Sequence, residues 1–166
     1  MRYGAKGLGL AVLLSLGLPG CASQTAMQAR EPAQAAENGV VAVKSAYAMS
    51  ETVARLKQDI AGKGLMFFQE VDQSKLAADA GIDLQPSTLL VFGNPALGSQ
   101  FMTANPRSGL DWPVRLLVFE DRYGAVWAAY NDFAHIEERH GITDRAAQFK
   151  MAAEVIASIT ASVAEH

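Results

Sequence analysis

Cysteine is nearly absent from this chain of 166 residues, which contains only Cys21. A single thiol cannot form an internal disulfide, so the chain does not belong to the small domains that disulfides stabilise. A free thiol exposed in an oxidising compartment is also a liability. The position of this one cysteine therefore needs an explanation.

Acidic residues are missing before Glu31, whereas Arg2 and Lys6 stand near the start. An uncharged and mostly apolar segment follows at residues 8–18, shorter than the 20 or so residues that a membrane-spanning helix needs. A basic start, a short apolar middle and small residues after it are typical of a secretory signal peptide. We therefore predict that residues 1–20 form a signal peptide.

The signal segment ends in Leu-Pro-Gly-Cys at residues 18–21, which resembles the lipobox of bacterial lipoproteins. The resemblance implies that the Cys21 thiol carries a diacylglyceryl group and that its freed amine is acylated. Two or more acyl chains give stable membrane anchoring. The alternative is a secretory peptide with a chance cysteine. Ala22 and Ser23 follow, without the Asp that signals inner-membrane retention, so the resemblance implies the periplasmic face of the outer membrane.

Basic residues are not in excess either. Without Arg2 and Lys6, the 14 basic residues become 12 against 17 acidic ones, a balance of −5. A nucleic-acid partner needs a basic stripe, so none is predicted. Removal of residues 1–20 leaves 146, enough for one domain. Residues 21–38 are mostly Ala and polar, which predicts a lipid anchor with a flexible tether. Residues 39–166 are predicted to form a single domain.

The hydrophobic pattern predicts a mixed fold. Runs of apolar and β-branched residues predict strands at 40–47, 65–71, 88–92, 114–119 and 125–130. Helical spacing predicts a helix capped by Ser50 and ending at Gly62, and a long last helix capped by Asp144. Its apolar stripe comprises Phe149, Ala152, Ile156, Ile159 and Val163. With short extra helices the order is β-α-β-β-β-β-α, an α+β fold with an antiparallel-rich sheet of about five strands and helices packed on one face.

Two of these strands are apolar on both faces. In the strand at 125–130, Trp127 and Tyr130 have opposite parity and therefore point to opposite sides of the sheet. A strand with one solvated face alternates apolar and polar residues along its length. Neither this strand nor the one at 114–119 shows that alternation. Something must cover the second face, and a second copy of the chain is the simplest cover. We therefore predict a homodimer.

Several short segments resemble the family known as domain of unknown function 302, and together they cover about residues 43–163. They are Phe92-Gly93-Asn94-Pro95, Leu110-Asp111-Trp112-Pro113-Val114-Arg115, Glu120-Asp121-Arg122-Tyr123-Gly124, Tyr130-Asn131-Asp132 and Arg139-His140-Gly141-Ile142. The chain departs from the family at Trp112, where an aliphatic residue is usual, and at Phe133, where proline is usual. The resemblance implies a TATA-binding-protein-like α+β fold and pairing as dimers, and it implies no activity.

Five polar residues are candidates for ligand binding. Asn94 follows a strand and precedes Pro95, where it either opens an anion-binding helix terminus or, the interpretation we favour, simply begins a turn. Arg115 lies inside an apolar strand and is a candidate for gripping a carboxylate, with an ordinary ion pair to Glu120 or another acid as the alternative. Glu120, Tyr130 and His140 complete the set.

A metal site is a weaker hypothesis. If residues 133–140 are helical, His135 and Glu138 lie one turn apart. The two histidines, His135 and His140, are five residues apart, whereas the zincin motif needs four. A structural role is therefore favoured, with Arg139 and His140 at a helix C-terminus, where cations complement the helix dipole. We predict no metal, no cofactor and no catalytic residue.

Three functions remain open. The leading one is an envelope-anchored periplasmic lipoprotein whose domain is a non-enzymatic dimeric module that binds a small ligand or an envelope protein. The second is an enzyme with a site around Arg115, Glu120, Tyr130 and His140. The third is a metal-handling protein that uses His135, Glu138 and His140. Convergence of those side chains in one pocket would favour the second or third, and an open apolar sheet face would favour the first.

Overall fold

A computed structural model describes residues 34–165. Cys21, the predicted signal peptide and most of the predicted tether lie outside the described residues. The strands are β1 (Gln34–Glu37), β2 (Val40–Lys44), β3 (Met66–Asp72), β4 (Ser87–Gly93), β5 (Val114–Glu120) and β6 (Val126–Asn131). The helices are α1 (Met49–Gly62), α2 (Gln73–Asp79), α3 (Pro95–Ala104), α4 (Phe133–His140) and α5 (Ala146–Ala161), with a 3-10 helix at Pro106–Leu110.

The described strands form one sheet in the order β1-β2-β6-β5-β4-β3, and every neighbouring pair is antiparallel. The α+β prediction is confirmed. The five predicted strands are present. A sixth strand, β1, lies within residues 21–38, which were predicted to be a flexible tether. Asn38 and Gly39 join β1 to β2 with φ of 61° and 77°, the left-handed geometry that Asn-Gly adopts in two-residue hairpins.

The hydrophobic core fills the space between the helices and one sheet face. Inward positions of β4, β5 and β6 contribute Leu90, Leu116 and Ala128, all fully buried. From the helices, α5 buries four residues of its predicted stripe and α1 contributes Leu56 and Ile60. The fifth, Val163, is also buried but lies just after the end of α5. The predicted packing of the last helix is therefore confirmed.

Both predicted helix caps are wrong by a few residues. Helix α1 begins at Met49, and its cap position is Ala48 rather than Ser50. Helix α5 begins at Ala146, so the cap position falls on Arg145 rather than on Asp144. The Asp144 carboxylate instead pairs with the Arg145 guanidinium at 2.6 Å, and this local ion pair competes with capping.

The sheet face that points away from the helices is also apolar, but its side chains lie outside the core. Because side chains alternate along a strand, Leu89 on β4, Leu117 and Phe119 on β5 and Trp127 on β6 point away from the helices. Leu89 pairs with Leu117, and Phe119 pairs with Trp127, so the apolar residues are neighbours across three strands. These four side chains are partly exposed, and none belongs to the core cluster. We call this surface the bare face.

Candidate functional site

The most unusual polar arrangement of the described residues is centred on Asp111, in the turn between the 3-10 helix and β5. Its side chain is only 4 % exposed, and its Oδ2 lies 2.6 Å from Nε2 of His140, whose side chain is 6 % exposed. A buried carboxylate is costly unless it is paired and hydrogen-bonded. His140 provides the shortest of its contacts.

Local sequence fixes His140 in place. The Asp132 side chain accepts a hydrogen bond from the backbone N–H of Ala134 and caps the start of α4. Gly141 ends the helix with φ 59°, a conformation suited to glycine. Arg139 and His140 therefore occupy the last turn, as predicted. The Asn105 amide donates to the His140 carbonyl oxygen at 2.8 Å and ties the helix end to the loop that carries Asp111.

Three further side chains approach the other oxygen, Oδ1, of Asp111. A guanidinium nitrogen of Arg139 lies 3.3 Å away, the Asn131 amide nitrogen 3.5 Å, and a guanidinium nitrogen of Arg115 3.8 Å. Arg115 also donates to the carbonyl oxygen of Leu110. Together with His140, these residues form what we call the Asp111 cluster.

The charges of the Asp111 cluster do not balance. Two guanidinium groups share the Asp111 carboxylate. Within residues 34–165 neither guanidinium is paired with a second carboxylate. Both arginine side chains are about half exposed, at 46 % and 51 %, whereas Asp111 is buried. A guanidinium carries five N–H donors, so each arginine has donors beyond those on the nitrogen that contacts Asp111. The arrangement is suited to holding an anion.

The enclosed space beside Asp111 is small. A cavity of about 10 Å³ is lined by Asp111, Ser108, Trp112 and the aromatic rings of Phe101, Phe133 and Phe149, together with Ile136. A water needs about 10–15 Å³ of such space, so the cavity holds one water at most. The hydroxyl of Ser108 is buried there without a hydrogen-bond partner among the described residues. A ligand of the cluster must therefore bind on the exposed side, where the arginines are.

The structure brings together two of the five predicted ligand-binding residues, Arg115 and His140. Asn94 caps α3 by accepting hydrogen bonds from the N–H groups of Ala96 and Leu97, the turn interpretation that was favoured. Glu120 stands at the far end of β5, about 17 Å along the strand from Arg115. Arg115 pairs with Asp111, and not with Glu120.

Tyr130 pairs with Leu116 on the helix side of the sheet, away from Arg115. Burial, followed by the nearby Asp132 carboxylate, raises the pKa of the Tyr130 hydroxyl. Its hydroxyl is therefore a poorer proton donor than an exposed tyrosine. The structure does not place Tyr130 in the Asp111 cluster.

The residues of the metal hypothesis are spread out. Helix α4 spans Phe133–His140 as supposed, but the His135 ring packs against Gly39 of the hairpin while His140 faces Asp111. Among residues 34–165, no group of three His, Cys, Asp or Glu side chains is placed to hold a metal ion.

Sequence reasoning missed Asp111 and Asn131. Asp111 pairs most closely with a residue 29 positions away, a separation at which spacing carries no signal. One local signal exists, because Asp111 lies four residues before Arg115.

An antiparallel sheet covered by helices on one side, with a buried carboxylate under two arginines at its end, defines an α+β domain with a basic surface site. Residues 41–164 match the family described as Domain of unknown function DUF302, three quarters of the chain. The chain belongs to this family. A crystal structure of an uncharacterized conserved protein of the same family from Bacillus stearothermophilus has the same fold, with a TM-score of 0.70 at 16 % identity. The match covers 76 % of this chain and 99 % of that one.

The curated relatives match a shorter part of this chain than the family does. The chain is 37 % identical over 106 residues to the Fluoride-specific ion channel FluC 1 of Brucella suis biovar 1 (strain 1330). It has the same identity to the FluC 1 of Brucella abortus biovar 1 (strain 9-941). The match spans 64 % of this chain and 42 % and 39 % of these two relatives. In this chain, none of the helices among residues 34–165 has the length and apolar character to cross a membrane.

Proposed function

We propose that this chain is a lipid-anchored protein of the bacterial envelope whose DUF302 domain is a non-enzymatic binding module that works as a homodimer. The observation that carries the proposal is the bare face, where apolar side chains lie side by side on three strands. Contiguous apolar patches of a few hundred Å² on a soluble domain mark interaction sites. Two such faces, each presented by one copy, bury each other in an isologous contact.

The charge pattern around the bare face supports a second copy as its cover. Leu117 and Phe119 sit in the middle strand, whereas two charged positions on this face, Arg115 and Lys44, stand toward the ends of their strands. An apolar centre with a polar rim is the usual anatomy of a stable protein interface. A face that only met water would carry mainly polar side chains instead.

The dimer is tested by light scattering of residues 34–166 over micromolar concentrations. The solved relative, 99 % of which is matched, supports a folded domain of this extent. We expect a dimer mass for the wild type and a monomer for Leu117→Lys, which places a charge in the apolar centre. Ala157→Lys, on the exposed side of α5, is the matched control and should stay dimeric. A monomeric wild type refutes the dimer.

The anchor is tested in cells. A fatty-acid probe should label the full chain, and Cys21→Ser should abolish the label because the diacylglyceryl group is attached through the cysteine thiol. Ser23→Ala keeps the cysteine and should remain labelled. A labelled Cys21→Ser chain refutes lipidation at this residue.

The curated relatives bear on this proposal only in part. Their names describe fluoride channels, and about three fifths of each lies outside the matched segment. Channel activity is therefore not part of the proposal.

A further inference from the structure

We infer that Arg115 and Arg139 form a binding site for an organic anion, in which the two guanidinium groups hold a carboxylate or phosphate head group. The inference rests on the proposed binding-module function and names its ligand class. Asp111 and His140 hold the two arginines in position and do not touch the ligand.

The geometry allows one head group to contact both arginines. Each guanidinium approaches the same oxygen of Asp111, at 3.8 Å for Arg115 and 3.3 Å for Arg139, so these two nitrogens are no more than about 7 Å apart. Charge-assisted hydrogen bonds from guanidinium to oxyanion are about 2.8 Å long. The two oxygens of a carboxylate or phosphate can therefore each accept from a different arginine.

The arginines are held in a way that surface arginines ordinarily are not. Arg115 donates to the Leu110 carbonyl oxygen and lies 3.8 Å from the Asp111 carboxylate. Arg139 is fixed by the carboxylate, and its helix end is tied down through Asn105. Ordering these side chains before the ligand arrives lowers the entropy lost on binding. One arginine would be enough to balance the charge of the buried Asp111 carboxylate. A purely structural role therefore does not account for the second arginine.

Apolar side chains border the cluster and indicate an organic ligand rather than a bare inorganic ion. Leu110, whose carbonyl contacts Arg115, is 66 % exposed, and Val40, which pairs with Asn131, is 43 % exposed. These two side chains offer an apolar surface next to the guanidinium groups for the rest of the ligand.

Hexanoate is a suitable probe because it combines a carboxylate with a short apolar tail. We expect it to shift the ¹⁵Nε signals of Arg115 and Arg139 in the wild-type protein saturably, and to leave Arg122, in the hairpin at the other end of β5, unchanged. Acetate should bind at least tenfold more weakly because it lacks the tail. Hexyl phosphate should compete for the same site, and 1-hexanol should not shift either arginine.

Variants then assign the contacts. Arg139→Gln and Arg115→Gln should each weaken hexanoate binding at least tenfold, whereas Arg122→Gln should not. Arg139→Lys keeps a positive charge beside Asp111 and should also weaken binding, because lysine lacks the planar fork. Failure of both hexanoate and hexyl phosphate to shift the wild-type arginines overturns the site, and equal affinity for acetate overturns the organic ligand.

Failure of this inference can be told apart from failure of the dimer. Light scattering of Arg139→Gln should still give a dimer, since Arg139 lies on α4 and not on the bare face. A dimer that binds no anion overturns only the site. A monomer that binds hexanoate overturns only the dimer, and melting curves verify that each variant is folded.

Discussion

Nε2 of His140 lies 2.6 Å from Oδ2 of Asp111, and both side chains are almost completely buried. The contact joins the end of α4 to the loop before β5, across 29 residues of sequence. Such a pair is held by the fold and in turn fixes two of its segments relative to each other. It also sets where Arg115 and Arg139 present their guanidinium groups.

Loss of the Asp111 charge should therefore destabilise the domain. Asp111→Asn keeps the shape of the side chain but leaves Arg139 and His140 beside a neutral group. We expect the free energy of unfolding in urea to fall by about 1–3 kcal/mol, the cost of weakening a buried hydrogen bond to a charged group. Asp83→Asn, at an exposed loop position, is the control and should change stability by less than about 0.5 kcal/mol. A similarly small effect at Asp111 would show that the pair is not coupled to folding.

Gly98 should be intolerant of alanine because Trp112 lies on it. A Cβ at Gly98 would stand 1.7 Å from Nε1 of the Trp112 indole, and one at Gly93 would stand 2.9 Å from the same ring. In an open helix Gly→Ala stabilises by about 1 kcal/mol. Here we expect the opposite sign, a loss of about 1–3 kcal/mol from overpacking, with a changed near-ultraviolet circular dichroism of Trp112. Ser99→Ala, exposed on the same helix, should be neutral or stabilising.

Truncation of the α5 stripe tests the core. Ile156 is 2 % exposed and packs between the sheet and the helices, so Ile156→Ala should lower the free energy of unfolding by about 2–5 kcal/mol. Met151 lies on the same helix but is 54 % exposed, so Met151→Ala should lower the free energy of unfolding far less. Equal effects at the two positions would contradict the packing of α5 against the sheet.

Local patterns predicted most of the fold. Apolar spacing located α5 and the five main strands because each of these elements buries one face against the core. The hairpin at Asn38 and Gly39 was missed, since its strand β1 is made of Gln, Ala and Glu and has no apolar alternation. Asn-Gly itself was the available signal.

The candidate site could be predicted only in part. Arg115 stands out because a charge interrupts an apolar strand, and His140 because it precedes a helix-ending glycine. Asp111 gave no comparable signal, since its partners come from β5, β6 and α4 and meet only in the folded chain. Sequence spacing reports neighbours on one element, not contacts between elements.

The Asp121 carboxylate gives the hairpin a pH dependence that can be observed directly. It accepts from the Trp127 indole N–H at 2.9 Å and from the backbone N–H of Ala125 at 3.0 Å, and these bonds, the indole first, lower the pKa of Asp121 below its ordinary 3.8. The stabilisation is therefore complete above pH 3.8 and is lost as the pH falls through the lower folded value. In NMR spectra the Trp127 indole proton should titrate with a midpoint below 3.8, and Asp121→Asn should abolish that titration. The Trp112 indole, which lies on Gly98, is the internal control, and a Trp127 midpoint at or above 3.8 would contradict the assignment.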